Sequence, residues 1–181
     1  MVVLPTDTVY GIGTRPDDAS ATRRLFEAKH RPRDLELPVL VPSVDVAVKL
    51  ARVDDRARTL MEAFWPGPLT IVLPRAEASR RWDLGGDPDT VGVRWPRHLL
   101  ARALLERTGP MAVTSANISG RGSPATCDEL VTTFGEKVEV YLCQEEPLAG
   151  AASTVVDLAH GAPAVLRRGA ITESDLVATL G

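Results

Sequence analysis

The residues able to do chemistry fall into separated short segments. Residues 5–13 read Pro-Thr-Asp-Thr-Val-Tyr-Gly-Ile-Gly, 29–32 read Lys-His-Arg-Pro, and 114–120 read Thr-Ser-Ala-Asn-Ile-Ser-Gly. Ser-Thr-Val-Val-Asp occupies 153–157, and Arg167-Arg168-Gly169 follows. Each combines small hydroxyls, glycine or cations with a short apolar run. Such groups suit a site that holds anions and a polar amino acid without a metal cage. Backbone N–H groups and hydroxyls approach closely, and fixed cations neutralise phosphate and carboxylate charge.

Each segment also has a plainer use. Thr8 offers a hydroxyl to a pocket, but a capped turn is the commoner role of such a stretch. Lys29, His30 and Arg31 close a helix, where cations complement the dipole; before a Pro-fixed turn they also make a phosphate clamp. In 91–95, strand alternation puts Val91, Val93 and Trp95 on one face and Gly92 and Arg94 on the other. That second face is either solvated or a place where a ligand carboxylate meets Arg94 beside the small Gly92. Residues 114–120 follow a buried strand, the end at which ligands gather in α/β proteins. Ser115 and Asn117 there supply more polarity than a turn requires. Ser153 and Arg167 are weak signals alone.

Several common chemistries are excluded. None of Lys29, Lys49 or Lys137 closes a Walker loop, and Pro16 stands where a dinucleotide fingerprint needs its third glycine. His30, His98 and His160 have no metal-ligand spacing, and no Gly-x-Ser-x-Gly elbow exists. The net charge of −3 argues against a protein that lives on duplex nucleic acid. Cys127 and Cys143 show no CxxC spacing, so neither a zinc site nor a disulfide framework is expected, and a reducing compartment fits. No apolar run reaches a membrane span, and the first residues are too short for a signal peptide.

The elements that must position these residues alternate without a regular βαβ rhythm. Strands are expected at 2–4, 37–41, 69–73, 91–95, 111–113, 138–142, 154–158 and 164–167. Helices are expected at 17–29, 44–51, from Asp54 to about 64, 99–107, from the Thr126 capping box to 134, and from Thr172 to 180. Residues 5–13 are expected as a loop, and the polar stretch 75–90 as a long mobile one. The fold class is a single α/β domain, 1–181, with an open sheet of mixed direction.

Together the segments resemble the YrdC-like family of threonylcarbamoyl-AMP synthases. PTDTVYG, Lys-x-Arg-Pro, Trp-Pro-Gly-Pro-Leu-Thr, a Gly-x-Arg strand, Ser-Ala-Asn-x-Ser-Gly, STVVD and Leu-Arg-x-Gly occur in the family's order from Pro5 to about Ile171. The resemblance implies a twisted sheet with a concave, cation-lined cavity. It implies condensation of L-threonine, bicarbonate and ATP with pyrophosphate release, for threonylcarbamoylation of adenosine 37 in ANN-decoding tRNAs. It assigns Thr8, Arg94 and Ser153 to threonine, and Lys29 and Arg31 to phosphates and bicarbonate as the catalytic cations. Ser115, Asn117 and Arg167 go to the nucleotide. Mg²⁺ would arrive with ATP, and the partners would be cytoplasmic tRNA threonylcarbamoyl-transferase proteins. The chain departs from the family in three ways. Only four residues precede Pro5, so a frayed first strand is expected; Glu36 replaces a usual proline near the clamp; and the chain reads as the short, single-domain type. The rival readings are an RNA-binding or ribosome-maturation module with a weak RNA contact, and a carbamoyl-adenylate module of hydrogenase maturation.

Overall fold

A computed structural model describes residues 1–181. Nine strands form one sheet: β1 (Val2–Leu4), β2 (Gly11–Thr14), β3 (Val39–Leu40), β4 (Leu69–Pro74), β5 (Thr90–Arg94), β6 (Met111–Ser115), β7 (Val140–Tyr141), β8 (Thr154–Asp157) and β9 (Ala164–Arg167). Their order is β7-β1-β2-β6-β3-β5-β4-β8-β9. The pairs β1/β7, β3/β5 and β4/β8 are parallel and the other pairs antiparallel, so the sheet is mixed as expected.

The two sheet faces have different fates. Val3, Ile12, Val39, Ile71, Val91, Val93, Ala112 and Val156 point into a core of 29 buried residues shared with the helices. These helices are α1 (Ala19–Lys29), α2 (Val44–Leu50), α3 (Asp55–Phe64), α5 (Cys127–Phe134) and α6 (Glu173–Leu180). Period-two alternation sends Leu4, Leu40, Met111 and Val113 to the opposite face, where α4 (Leu99–Thr108) covers them with Ala101 and Leu105. Beyond α4 that face is an open cleft floored by Thr70, Gly92, Arg94 and Val155. Asp18, Ser43, Asp54, Thr126 and Thr172 cap their helices by accepting backbone N–H bonds, as the sequence suggests. No helix is long and apolar enough to cross a membrane.

Four expectations change. Residues 11–14 are a fully buried strand, not a loop. A side chain at Gly11 or Gly13 would meet a Val113 methyl at 2.6 Å, so glycine here serves close strand packing. β1 is not frayed: it pairs on both sides, and Val3 and Leu4 are fully buried. Residues 75–90 are packed rather than loose. The buried Arg75 guanidinium donates to the carbonyls of Thr90, Ser79 and Trp82, and Leu84 is in the core. Finally, Cys127 and Cys143 form a disulfide, with Cα atoms 5.7 Å apart. The Thr126 cap places Cys127 at the start of α5, and the exit of β7 brings Cys143 beside it. Linear spacing gave no sign of this.

Candidate active site

The cleft has two connected lobes that share Arg31, Pro38, Thr70 and Arg167. The first is small, about 70 Å³, and is walled by the loop before β2 and by Ser153 at the head of β8. Its polar groups form two chains. In one, Arg94 donates from Nη1 to Thr8 Oγ1 (3.1 Å), and Thr8 meets Thr6 Oγ1 (2.9 Å). In the other, Arg167 Nη2 donates to Ser153 Oγ (2.8 Å), which meets Thr70 Oγ1 (3.0 Å). Arg94 is 5% exposed. Burial lowers its pKa, and the Asp7 carboxylate 2.8 Å away opposes that shift and keeps it cationic. Its Nε is committed to the Gly67 carbonyl (3.0 Å). A buried guanidinium with three protein partners builds the wall as well as charging it.

The strap after Cys143 closes this lobe by backbone contact. A Cβ at Gly150 would lie 2.1 Å from the Thr8 carbonyl oxygen, and one at Gly169 would lie 2.2 Å from that of Ala152. The segments bearing Thr8, Ser153 and Arg167 are therefore stacked with no side chain between them.

The two cations of the Lys-His-Arg segment part company. His30 ends α1 in the left-handed region (φ 50°), which turns the chain sharply. Lys29 is 1% exposed, and its ammonium donates to the carbonyls of Ser115 and Asn117. Burial first, then repulsion from Arg31, pulls its pKa down to about 7. Asn117 is half-buried and bonds within its own loop, accepting from Ser115 Oγ (2.6 Å) and donating to the Ile118 and Arg121 carbonyls. Arg31 instead faces the cleft. It donates from Nε to the Leu35 carbonyl (3.1 Å) and from Nη2 to that of Glu36 (2.8 Å), leaving Nη1 without a protein partner. Burial and the neighbouring Arg167 lower its pKa.

The second lobe, about 510 Å³, has the opposite character. Leu35 and Leu166, both exposed, stand at its edges, and Glu36, Asp87, Asp157 and His160 line it. His160 bridges Asp157 (2.8 Å) and Asp87 (3.1 Å), which raise its pKa. Burial pushes Glu36 up to about 8 against the pull of Arg75 3.8 Å away. No group of three His, Cys, Asp or Glu side chains is placed to hold a metal ion.

Of the residues singled out from sequence, Thr8, Arg31, Arg94, Ser115, Ser153 and Arg167 surround one cleft, while Lys29 is buried behind its wall and the Asn117 side chain bonds within its own loop outside the cleft lining. Sequence reasoning missed Thr6, Asp7, Thr70, Asp87, Asp157 and His160. Asp7 lay inside a segment already singled out, and the need to neutralise a buried Arg94 could have pointed to it.

The family model Sua5_yciO_yrdC, described as telomere recombination, matches residues 1–169. The chain belongs to the Sua5/YciO/YrdC family. Within that family, a Mycobacterium tuberculosis protein provisionally named threonylcarbamoyl-AMP synthase is 44% identical over 182 residues, covering all of this chain and 83% of that one. The threonylcarbamoyl-AMP synthase of Pyrococcus abyssi is 40% identical over 183 residues, again all of this chain but 54% of its own. The crystal structure of P. abyssi Sua5 complexed with L-threonine superposes with a TM-score of 0.92 at 40% identity, over 99% of this chain and 53% of that one. The Sua5/YciO/YrdC fold accounts for the mixed sheet and its open face.

Proposed function

We propose that this chain is a threonylcarbamoyl-AMP synthase. The observation that carries this reading is the first lobe. A buried, charge-compensated guanidinium beside paired Thr and Ser hydroxyls suits a small hydroxy amino acid, in a chain 40% identical to a protein solved with L-threonine. Threonine lies among Thr8, Ser153 and the positive field of Arg94. Its amine adds to bicarbonate with loss of water to give a carbamate. A carbamate oxygen then attacks the α-phosphorus of ATP, and the bond to pyrophosphate breaks.

This displacement needs positioning and charge neutralisation more than acid–base chemistry. Arg31 and Arg167, each with N–H capacity left, flank the junction of the lobes and meet the phosphates there. Ser115 borders the same space, and Lys29 and Asn117 set its wall. Mg²⁺ enters on the phosphates of ATP. The product passes to tRNA threonylcarbamoyl-transferase proteins in the cytoplasm. Pyrophosphate release should require threonine, bicarbonate and ATP together, with the adenylate identified by mass. Robust ATP turnover without threonine would reject the reading.

A further inference from the structure

Arg31 owes its direction to a loop, and that loop rests on residues 75–90. The carbonyls of Leu35 and Glu36 accept from Arg31 and fix its guanidinium at the junction of the lobes. The loop is in turn bound to its neighbour. Leu37 N–H donates to the Leu84 carbonyl (2.8 Å), Gly86 N–H donates to that of Arg33 (2.8 Å), and Arg33 pairs with Asp83. Glu36 reaches further. Its carboxyl faces the Arg75 guanidinium at 3.8 Å and the Gly92 N–H. Arg75 is itself held by the carbonyls of Ser79, Trp82 and Thr90. Glu36 thus orients Arg31 by its backbone carbonyl, while its buried carboxyl faces the packed 75–90 segment as an ion-pair partner of Arg75, with Oε1 free of any hydrogen bond.

We propose that Glu36 is a positioning residue: its carboxyl, docked against Arg75, fixes the loop whose carbonyls aim Arg31 at the triphosphate. The 75–90 segment then acts as the platform of the phosphate clamp. This rests on the synthase reading for the identity of the anion. Glu36→Ala keeps the carbonyl that Arg31 uses, so any effect on the nucleotide passes through the carboxyl. Glu36→Gln keeps the size and polarity of the group, and its neutral amide substitutes for a carboxyl that burial already drives toward its neutral form.

The test is equilibrium binding of Mg·ATP and, separately, of L-threonine to the wild-type chain and both variants, with thermal unfolding as the check on folding. Glu36→Ala is expected to weaken ATP about 10- to 100-fold, the scale for losing an outer support of a binding group or displacing it by about 1 Å. Glu36→Gln should stay close to wild type, and threonine affinity should not move in either. If Glu36→Ala does not fold, Glu36→Leu, which fills the space without polarity, carries the same expectation. ATP affinity unchanged in the Ala or Leu variant, or ATP and threonine affinity falling together, would overturn the proposal alone. A wild-type chain that binds no ATP would overturn it together with the synthase reading.

Discussion

The two lobes of the cleft share a floor and differ in almost everything else. The first is narrow, and its hydroxyls and guanidinium groups already bond to one another. The second is about 510 Å³ against about 70 Å³, with carboxylates around it and aliphatic side chains at its edges. A preorganised cationic pocket recognises a small, charged and hydroxylated ligand by hydrogen bonds that cost no rearrangement. A wide lobe with acceptors and apolar edges suits a larger, donor-bearing group. Arg31 and Arg167 stand between the two, where opposite characters meet and where, on the synthase reading proposed above, a phosphate chain would join a nucleoside to an amino acid.

Substrate analogues would break this contrast most sharply. Valine keeps the shape of threonine but brings no hydroxyl to the polar groups around Thr8 and Ser153, and a site built to hydrogen-bond a substrate hydroxyl should reject it by about 10⁴-fold in kcat/KM. Serine lacks only a methyl, worth roughly 1–3 kcal/mol, and should remain a poor substrate. Equal use of valine and threonine in pyrophosphate release would deny the first lobe its assigned ligand.

Arg94→Ala comes next. It deprives the mostly covered Asp7 of its cation, leaving it only the Arg97 N–H, and the cost should approach the roughly 3–5 kcal/mol of breaking a buried pair, measurable by urea unfolding. Arg94→Lys keeps a charge but not the fork that spans Gly67, Thr8 and Asp7. It should weaken threonine more than ATP; the reverse would move Arg94 to the nucleotide side.

Arg31→Ala should remove about 2–4 kcal/mol of transition-state stabilisation, or 10²–10³ in rate, with unfolding unchanged. Wild-type kinetics in this variant would empty the junction of its assigned cation.

Lys29→Met sharpens the difference within one segment, because here the effect is on folding. Two carbonyls lose their donor, at roughly 1–3 kcal/mol each for groups left unsatisfied in the interior. The pH dependence is the diagnostic. The folded pKa of about 7 lies below the ordinary 10.5, so the unfolded chain binds the extra proton between those values. Wild-type stability from this group therefore rises with pH across that window. Chemical denaturation between pH 7 and 10 should show the slope in the wild type and lose it in Lys29→Met.

Local signals served the sequence well where local physics decides. Side-chain caps at Asp54, Thr126 and Thr172 marked helix starts, and the alternation around Arg94 separated its face from that of Val91 and Val93. Reading failed where distant partners decide. Gly11 and Gly13 suggest a loop until Val113 is known to press against them. The polar 75–90 segment looks mobile until Arg75 is found buried beneath it. Lys29 looks like a free helix-end cation until the left-handed turn at His30 swings Arg31 alone into the cleft. Asp157 and His160 are neighbours three residues apart, but Asp87 lies in a distant segment, and only the fold brings it to the same lobe. The disulfide likewise depends on a cap and a strand exit that meet in space.

The two glycines stitched over the first lobe make it sensitive to the smallest possible addition. At Gly150 and Gly169 the nearest atoms belong to backbone, which has no rotamer by which to step aside. One methyl group there is a wedge. It would lift the strap from the Thr8 loop, or the Arg167 turn from Ala152 and Ser153, while every polar side chain of the site stayed in the sequence. On the synthase reading, the capacity to select an amino acid would depend on two hydrogen atoms as much as on the residues that would touch the ligand.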